Sequence, residues 1–138
     1  MSFIDFNTDD AQEMQTAPDG KEQLLTIVTS KQGVSKNSGK PYIQLMLTCE
    51  EISFFKDFSH FINLPFEGDE EKTRNAKLLQ LKRFKDCAGI SGGFEVPDEN
   101  GNGFDQLAGM KFWAVLREED KEEYGMQNSI KKLISPGK

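Results

Sequence analysis

The chain has 138 residues, of which 36% are hydrophobic and 29% charged, and its formal net charge at neutral pH is −6. This length fits one ordinary domain that buries its own core, and no apolar run is long enough to cross a membrane. The acidic start lacks the apolar segment of a secretory signal peptide, and two cysteines are too few for a disulfide framework, so we expect a cytoplasmic protein.

The first segment, residues 1–20, carries five acidic residues and no basic residue, and it ends in a Pro-Asp-Gly turn. We predict an acidic N-terminal arm over residues 1–20 in front of a single domain over residues 21–138. The apolar residues of this arm, Phe3, Ile4 and Phe6, are expected to dock on the body of the domain.

Three strands are predicted in the first half of the domain, at residues 24–29, 42–49 and 54–64, where β-branched and aromatic residues dominate. A loop rich in Gly and Lys, residues 31–40, separates the first two strands. Side chains of the second strand are expected to point alternately to two faces of the sheet. Its expected core face holds Ile43, Leu45, Leu47 and Cys49, and its expected polar face holds Tyr42, Gln44, Met46 and Thr48.

A helix is predicted to begin after Asp69, which can cap its N-terminus, and to end near Ala88, where Gly89 provides the C-cap. Apolar residues spaced three and four apart predict one buried stripe along this helix. The stripe consists of Leu78, Leu81, Phe84 and Ala88. A long acidic, Gly-rich connection follows at residues 90–109, and two further strands are predicted at residues 111–117 and 126–134.

The order of three strands, one helix and two strands is that of the OB-fold, a five-stranded, partly open Greek-key barrel. We therefore predict a mainly-β, OB-fold-like Greek-key barrel of five strands with one α-helix between strands three and four. Two competing folds are a β-sandwich that lacks some strands and a half-open sheet with the helix laid across it.

Catalytic and metal-binding patterns are weak in this sequence. His60 is the one histidine, and no nucleophile and base can be arranged around it. Cys49 and Cys87 have no Cys or His neighbour at zinc-ligand spacing. Residues 98–103 match the first half of an EF-hand calcium loop, but the position of the bidentate Glu is Gly109, so we expect a turn. We predict a non-enzymatic protein without cofactor or metal.

Single-stranded nucleic acids are bound by exposed aromatic rings, on which bases stack, and by cations that neutralise phosphates. The predicted nucleic-acid-binding residues combine these two features. They are Lys31, Lys36 and Lys40 of the first loop, Tyr42 of strand two, Lys56 and Phe58 of strand three, and Lys111, Trp113 and Arg117 of strand four. Tyr42, Phe58 and Trp113 are the stacking candidates, and packing in the core is the alternative for each of them.

The charges are segregated along the chain. Residues 1–20, 67–71 and 95–105 are acidic, whereas residues 72–85 hold six basic residues and no acidic one. Such a distribution is compatible with DNA binding but does not argue for it, and charge alone favours an ordinary mixed surface.

Seven short motifs follow one another along nearly the whole chain. They are Ile4-Asp5-Phe6-Asn7, Pro18-Asp19-Gly20, Lys36-Asn37-Ser38-Gly39, Phe61-Ile62-Asn63-Leu64, Cys87-Ala88-Gly89, Leu107-Ala108-Gly109-Met110-Lys111-Phe112, and the spaced set Tyr124, Asn128 and Ile130. In this order they resemble a family of small phage early proteins, known under a domain-of-unknown-function label and encoded among replication and recombination genes. The chain departs from that family at Glu22, where the family usually has an aromatic residue.

Some members of this family are regarded as OB-folds that bind single-stranded DNA. The resemblance therefore implies a protein that coats or hands over single strands during phage DNA synthesis in the host cytoplasm. Its partners would be single-stranded DNA and phage replication or recombination proteins. The rival hypothesis is an acidic protein-interaction module that binds a host or replisome protein and no nucleic acid. Convergence of lysines and exposed aromatic residues on one groove would favour DNA binding.

Overall fold

The computed structural model describes residues 3–123 and 125–134. Its elements are β1 (Glu22–Val34), β2 (Pro41–Thr48), β3 (Phe58–Asn63), α1 (Glu71–Ala88), β4 (Lys111–Lys121) and β5 (Gly125–Ile134). The predicted order of three strands, one helix and two strands is confirmed, although β1 and β4 are longer and β3 is shorter than predicted. Tyr124 of the last motif and both ends of the chain lie outside the described residues.

The strands form one antiparallel sheet in the order β3-β2-β1-β4-β5. β1 belongs to both halves of this sheet, because residues 22–26 pair with β4 and residues 26–34 pair with β2. A register irregularity between Ile27 and Thr29 lies where the partner changes, and such a bulge bends and twists its strand. The edge strands β3 and β5 approach within 8 Å between Cα atoms, but no ladder joins them in the described part of the chain, so the sheet is open.

The core lies between the inner face of the sheet and α1. The alternation predicted for β2 is confirmed, since Ile43, Leu45 and Leu47 are buried and the residues between them are half-buried. From the helix, Phe84 is fully buried and meets Phe112 of β4 edge to face, with 6.0 Å between ring centroids. The helix thereby packs against β3, β4 and β5.

The buried stripe of α1 is shorter than predicted. Phe84 and Cys87 are buried, and Leu81 and Ala88 pack against the core, but Leu78 is 43% exposed. The prediction for Leu78 is wrong because only the C-terminal half of the helix lies over the core.

The predicted C-cap of α1 is confirmed, whereas the predicted N-cap is wrong. Gly89 has a φ of 74°, and its amide donates to the carbonyl of Asp86. At the other end Glu70 is the N-cap residue and makes no side-chain capping hydrogen bond. Asp69 lies one residue earlier, and its carboxylate accepts from the amide of Phe66 instead.

The start of β3 was predicted four residues too early. The amide of Gln15 donates to the carbonyl of Phe54 at 2.8 Å, and the amide of Lys56 donates to the carbonyl of Gln15 at 2.7 Å. Phe55 pairs with Gln15 in an isolated parallel bridge. Because residues 54–56 pair with the N-terminal segment, they are not part of the ladder between β2 and β3.

The second part of the N-terminal segment, residues 15–20, is held by the sheet. Ala17 is fully buried, its amide donates to Oδ1 of Asn128 at 2.7 Å, and Nδ2 of Asn128 donates to its carbonyl at 3.0 Å. By contrast Phe3, Ile4 and Phe6 are 89%, 79% and 82% exposed. The prediction that these three residues dock on the domain is therefore wrong, and backbone hydrogen bonds to a buried asparagine attach the segment.

The connection between α1 and β4 runs along the free edge of β1, beyond the residues that pair with β4. The amide of Gln32 donates to the carbonyl of Pro97 at 2.8 Å. Ser30 donates to Asp105 twice, from its amide at 2.8 Å and from its hydroxyl at 2.6 Å. This connection therefore satisfies backbone groups that a strand edge would leave unpaired.

Residues 98–103 form the predicted turn. The Asp98 carboxylate accepts hydrogen bonds from the amides of Asn100 and Asn102, both at 2.9 Å. Across the described residues, no group of three or more His, Cys, Asp or Glu side chains could hold a metal ion. Within those same residues, no helix has both the length and the apolar character needed to span a membrane.

Candidate nucleic-acid interface

The register of β1, β2 and β3 defines three rows of side chains on the side of the sheet opposite the core. Residues directly opposite one another in an antiparallel ladder share a face. We call the following nine residues the outer face of β1–β3: Gly33, Tyr42 and Asn63 in the first row, Lys31, Gln44 and Phe61 in the second, and Thr29, Met46 and Ser59 in the third.

An aromatic pair stands on this outer face. Tyr42 and Phe61 lie diagonally across β2 and β3, with ring centroids 5.4 Å apart and planes at 78° to each other. The Tyr42 ring lies over Gly33, where a Cβ atom would stand 2.6 Å from its Cζ. Phe61 is 48% exposed, so it offers the larger free ring surface of the two. A glycine at position 33 is what lets the Tyr42 ring lie close to β1.

The prediction for strand three chose the wrong side of that strand. Phe58 is only 4% exposed, lies opposite Leu47 and contacts Phe55, so no face of its ring is open for stacking. Phe61, which lies on the other side of the strand, was missed. The sequence signal that could have identified Phe61 is the alternation along the strand. The polar residues Ser59 and Asn63 mark the outer side, on which Phe61 also lies, whereas Phe58 and Ile62 mark the core side.

Lys56 is not part of the outer face either. It precedes β3, is half-buried, and its Nζ donates to the carbonyl of Met126 at 3.1 Å. It therefore lies beside the N-terminal segment and the start of β5.

Two of the three lysines predicted in the first loop flank the aromatic pair with their charges unpaired. Lys31 belongs to β1 rather than to the loop and stands opposite Gln44, one row from Tyr42. Lys36 is exposed in the turn that joins β1 to β2. Among the described residues, neither lysine has a carboxylate within 4.0 Å of its Nζ.

Lys40 is tied to the start of the helix. Its Nζ lies 3.6 Å from Oδ1 of Asp69, whose carboxylate is almost completely buried. The other oxygen, Oδ2, accepts a 2.9 Å hydrogen bond from Lys77. The hydrogen bond from Lys77 and the one from the Phe66 amide hold the pKa of Asp69 below its ordinary value. Lys40 therefore has a structural partner before any ligand is bound.

The predicted residues of β4 form a separate group. Trp113 is 43% exposed and has Leu24 and Ile134 as cross-strand neighbours. Along β1, Leu24 lies nine residues before Gly33, the neighbour of Tyr42, which is about 30 Å at the rise of a strand. Trp113 thus stands beside the first half of β1 and Tyr42 beside the second half, on either side of the bulge between Ile27 and Thr29.

The two cations beside Trp113 are both in ion pairs. Lys111 lies 3.4 Å from Glu50, and Arg117 lies 3.8 Å from Glu119. All four side chains are at least partly exposed, so these pairs contribute little stability and can exchange for other partners.

A groove of about 440 Å³ continues the outer face towards the long connection. Lys31, Gln44 and Met46 line one side, and Gly103 and Asp105 line the other. The Asp105 carboxylate is occupied by its hydrogen bonds from β1. The groove thus adds a partly apolar surface next to Lys31 and Gln44.

Neither cysteine is suited to nucleophilic chemistry. Cys49 and Cys87 are buried and not joined in a disulfide. Burial raises the pKa of both thiols, that of Cys87 to about 11, so both are protonated at neutral pH.

Comparison of the sequence with protein-family models gave no match, and comparison with curated proteins gave no significant match. The resemblance to phage early proteins therefore stays a prediction.

Proposed function

We propose that this chain is a non-catalytic protein that binds single-stranded DNA on the outer face of β1–β3. The observation that carries the proposal is the exposed Phe61 ring, which forms a T-shaped pair with Tyr42, with Lys31 in the adjacent strand and Lys36 in the turn between β1 and β2. A solvent-facing aromatic pair beside unpaired cations matches what a nucleotide offers, since every base has a π-face and every phosphate a charge.

The sheet topology supports an OB-fold as the framework of this site. β1 is shared between β2 and β4, the helix lies between β3 and β4, and the edges of β3 and β5 approach each other beside that helix. In OB-folds, oligonucleotides bind on the face of strands two and three and on the loop between strands one and two. Tyr42, Phe61 and Lys36 occupy those places in this chain.

The expected energetics are modest for each contact and additive over several nucleotides. One base stacked on an exposed aromatic ring contributes about 1–3 kcal/mol. A rise in salt weakens such binding. For each phosphate that the protein neutralises, the logarithm of the affinity falls by about 0.7 for every tenfold increase in salt concentration. Five of the 23 acidic residues belong to residues 1–20, so residues 21–138 are close to neutral, with 18 acidic and 17 basic residues.

The biological setting follows from the resemblance rather than from the geometry. We propose that the protein acts in phage DNA replication or recombination in the host cytoplasm, where it coats single strands or passes them to other phage proteins.

Substitution of Phe61 tests the position of the site. Phe61→Ala should weaken binding of a labelled oligo-dT by the 1–3 kcal/mol of one stacked base, roughly 5- to 150-fold in Kd. Phe6→Ala is the matched control, because Phe6 is also an exposed phenylalanine but lies in the N-terminal segment. Equal affinities for the Phe61 and Phe6 variants would place the site elsewhere.

A protein-interaction module remains the second candidate, on the observation that apolar side chains are exposed within an acidic segment. Phe3, Ile4 and Phe6 extend into solvent beside Asp5 and Asp9. Deletion of residues 1–14 discriminates between the two candidates. On our proposal, the deletion leaves DNA affinity intact or increases it by removing negative charge, whereas a pure interaction module shows no DNA binding with or without the segment.

A further inference from the structure

A basic pocket lies at the gap between the two edge strands of the sheet. It has a volume of about 570 Å³ and is lined by His60 of β3, Gln80 and Arg83 of α1, Lys131 and Lys132 of β5, and two apolar side chains of β5. It lies outside the outer face of β1–β3 and shares no residue with it.

The charge of this pocket is uncompensated. No carboxylate in the described ranges lies within 4.0 Å of the charged nitrogens of Arg83, Lys131 or Lys132. None of the lining residues is acidic. Other basic residues of the chain, such as Lys40 and Lys111, do have carboxylate partners. Three cations that converge without an anion describe a site for an anionic ligand.

A β-bulge lies among the residues of β5 that line the pocket. Val115 pairs with Lys132, but the next residue of β4, Leu116, pairs with Ile130, so Lys131 is the extra residue of a bulge in β5. In a regular strand, neighbouring side chains point to opposite faces. Bulges redirect side chains and are common next to binding sites. The bulge thus falls within the four consecutive residues of β5 that line the pocket, Ile130 to Leu133, and both lysines are among them.

The pocket and the aromatic pair are joined through the free edge of β3. Nε2 of Gln80, a lining residue, donates to the carbonyl of Phe61 at 3.4 Å. The next lining residue, His60, directly precedes Phe61 and is half-buried on the other side of the strand. Burial lowers the pKa of His60, so its imidazole is uncharged at neutral pH and can donate one N–H hydrogen bond.

We infer that the basic pocket holds backbone phosphates of the same single strand whose bases stack on Tyr42 and Phe61. The strand leaves the outer face over the edge of β3, and Arg83, Lys131 and Lys132 neutralise the phosphates that follow the stacked bases. This inference rests on the proposed function and extends its site across β3 to α1 and β5.

Salt-dependent binding of labelled oligo-dT tests the inference with a matched control. Arg83→Gln and Lys132→Gln should each weaken binding and lower the salt slope by about 0.7 for each phosphate that the variant no longer neutralises. Lys82→Gln is the control, because this substitution removes the same charge one residue away, where Lys82 pairs with Asp86 outside the pocket. If all variants still bind and the two pocket variants show the same salt slope as the Lys82 variant, the pocket inference is overturned and the proposed function stands.

A second measurement separates failure of the inference from failure of the function. Inorganic pyrophosphate, titrated into the intact protein, should shift the amide NMR signals of residues 80–83 and 130–133 more than those of other residues. No shift there overturns the anion site. A synthetic peptide of residues 3–14 serves as the acidic competitor. If this peptide shifts those signals and oligo-dT does not, the pocket binds acidic protein segments instead, and the inference is wrong. If the wild type binds no oligo-dT at all, both proposals fail.

Discussion

Replacement of Gly33 with alanine should push the Tyr42 ring away from β1. A Cβ atom at position 33 would stand 2.6 Å from both Cζ and the hydroxyl oxygen of Tyr42. Because carbon atoms in contact prefer about 3.5–4.0 Å, the ring must move by about 1 Å. Overpacking of this kind costs about 1–3 kcal/mol, and the lower part of that range applies here because Tyr42 is only half-buried.

Gly93→Ala provides the matched control for this substitution. A Cβ atom at position 93 meets no atom within 4 Å, and Gly93 does not have a left-handed backbone. This control includes the stabilisation of about 0.4–1 kcal/mol that alanine gains over glycine through the unfolded chain. Gly33→Ala should therefore be about 1 kcal/mol less stable than Gly93→Ala.

Urea unfolding with a two-state fit measures this difference. The penalty should disappear in a Tyr42→Ala background, because the clash involves the Tyr42 ring, so the two substitutions should show strong coupling. Equal stability of the Gly33 and Gly93 variants, or an undiminished penalty without the Tyr42 ring, would refute the argument that Gly33 makes room for Tyr42.

Two further predictions concern buried polar side chains. Asn128→Ala should destabilise the protein by about 1–3 kcal/mol in urea unfolding, because it leaves the buried backbone of Ala17 without its partners. It should also speed proteolysis within residues 15–20, and unchanged proteolysis would contradict this anchoring role. Asp69→Asn should destabilise the protein at neutral pH, because Lys77 loses its ionised partner. Since the pKa of Asp69 is lowered in the folded state, this difference should shrink as the pH falls through that lowered pKa, and a difference that grows in acid would contradict it.

The parts of the fold that could be predicted are those in which local pattern and burial agree. In β2, strongly apolar residues recur at every second position, and the structure buries this expected set, including Ile43 and Leu45. Gly89 ends α1 as predicted, because a left-handed C-cap is a local requirement that the sequence displays directly.

Predictions failed where a distant segment decides the local structure. Residues 54–56 have strand character, but their backbone pairs with Gln15, some forty residues away, so β3 starts later than predicted. Lys31 was assigned to a loop because of its Gly- and Lys-rich neighbours, yet pairing with β2 extends β1 to Val34.

Only part of the candidate site could be predicted from the sequence, again because strand boundaries and pairing depend on distant residues. Tyr42 and Lys31 stand on the outer face, but the sequence predicts Phe58 on the exposed side of strand three together with Lys56, which in fact precedes β3, and so misses Phe61. Trp113 is separated from Tyr42 because β1 pairs with β4 in its first part and with β2 in the rest. This change of pairing partner along β1 is a tertiary feature that no local sequence pattern indicates.

Fluorescence anisotropy of a labelled oligo-dT of about 30 nucleotides, compared with a duplex of equal length, tests the central claim most directly. This oligonucleotide exceeds the roughly 4–16 nucleotides that one OB-fold covers. We predict that the wild-type protein prefers the single strand at low salt and that its affinity falls as salt is raised. An absence of binding at low salt, or equal affinity for the duplex, would contradict the proposal that the outer face of β1–β3 binds single-stranded DNA.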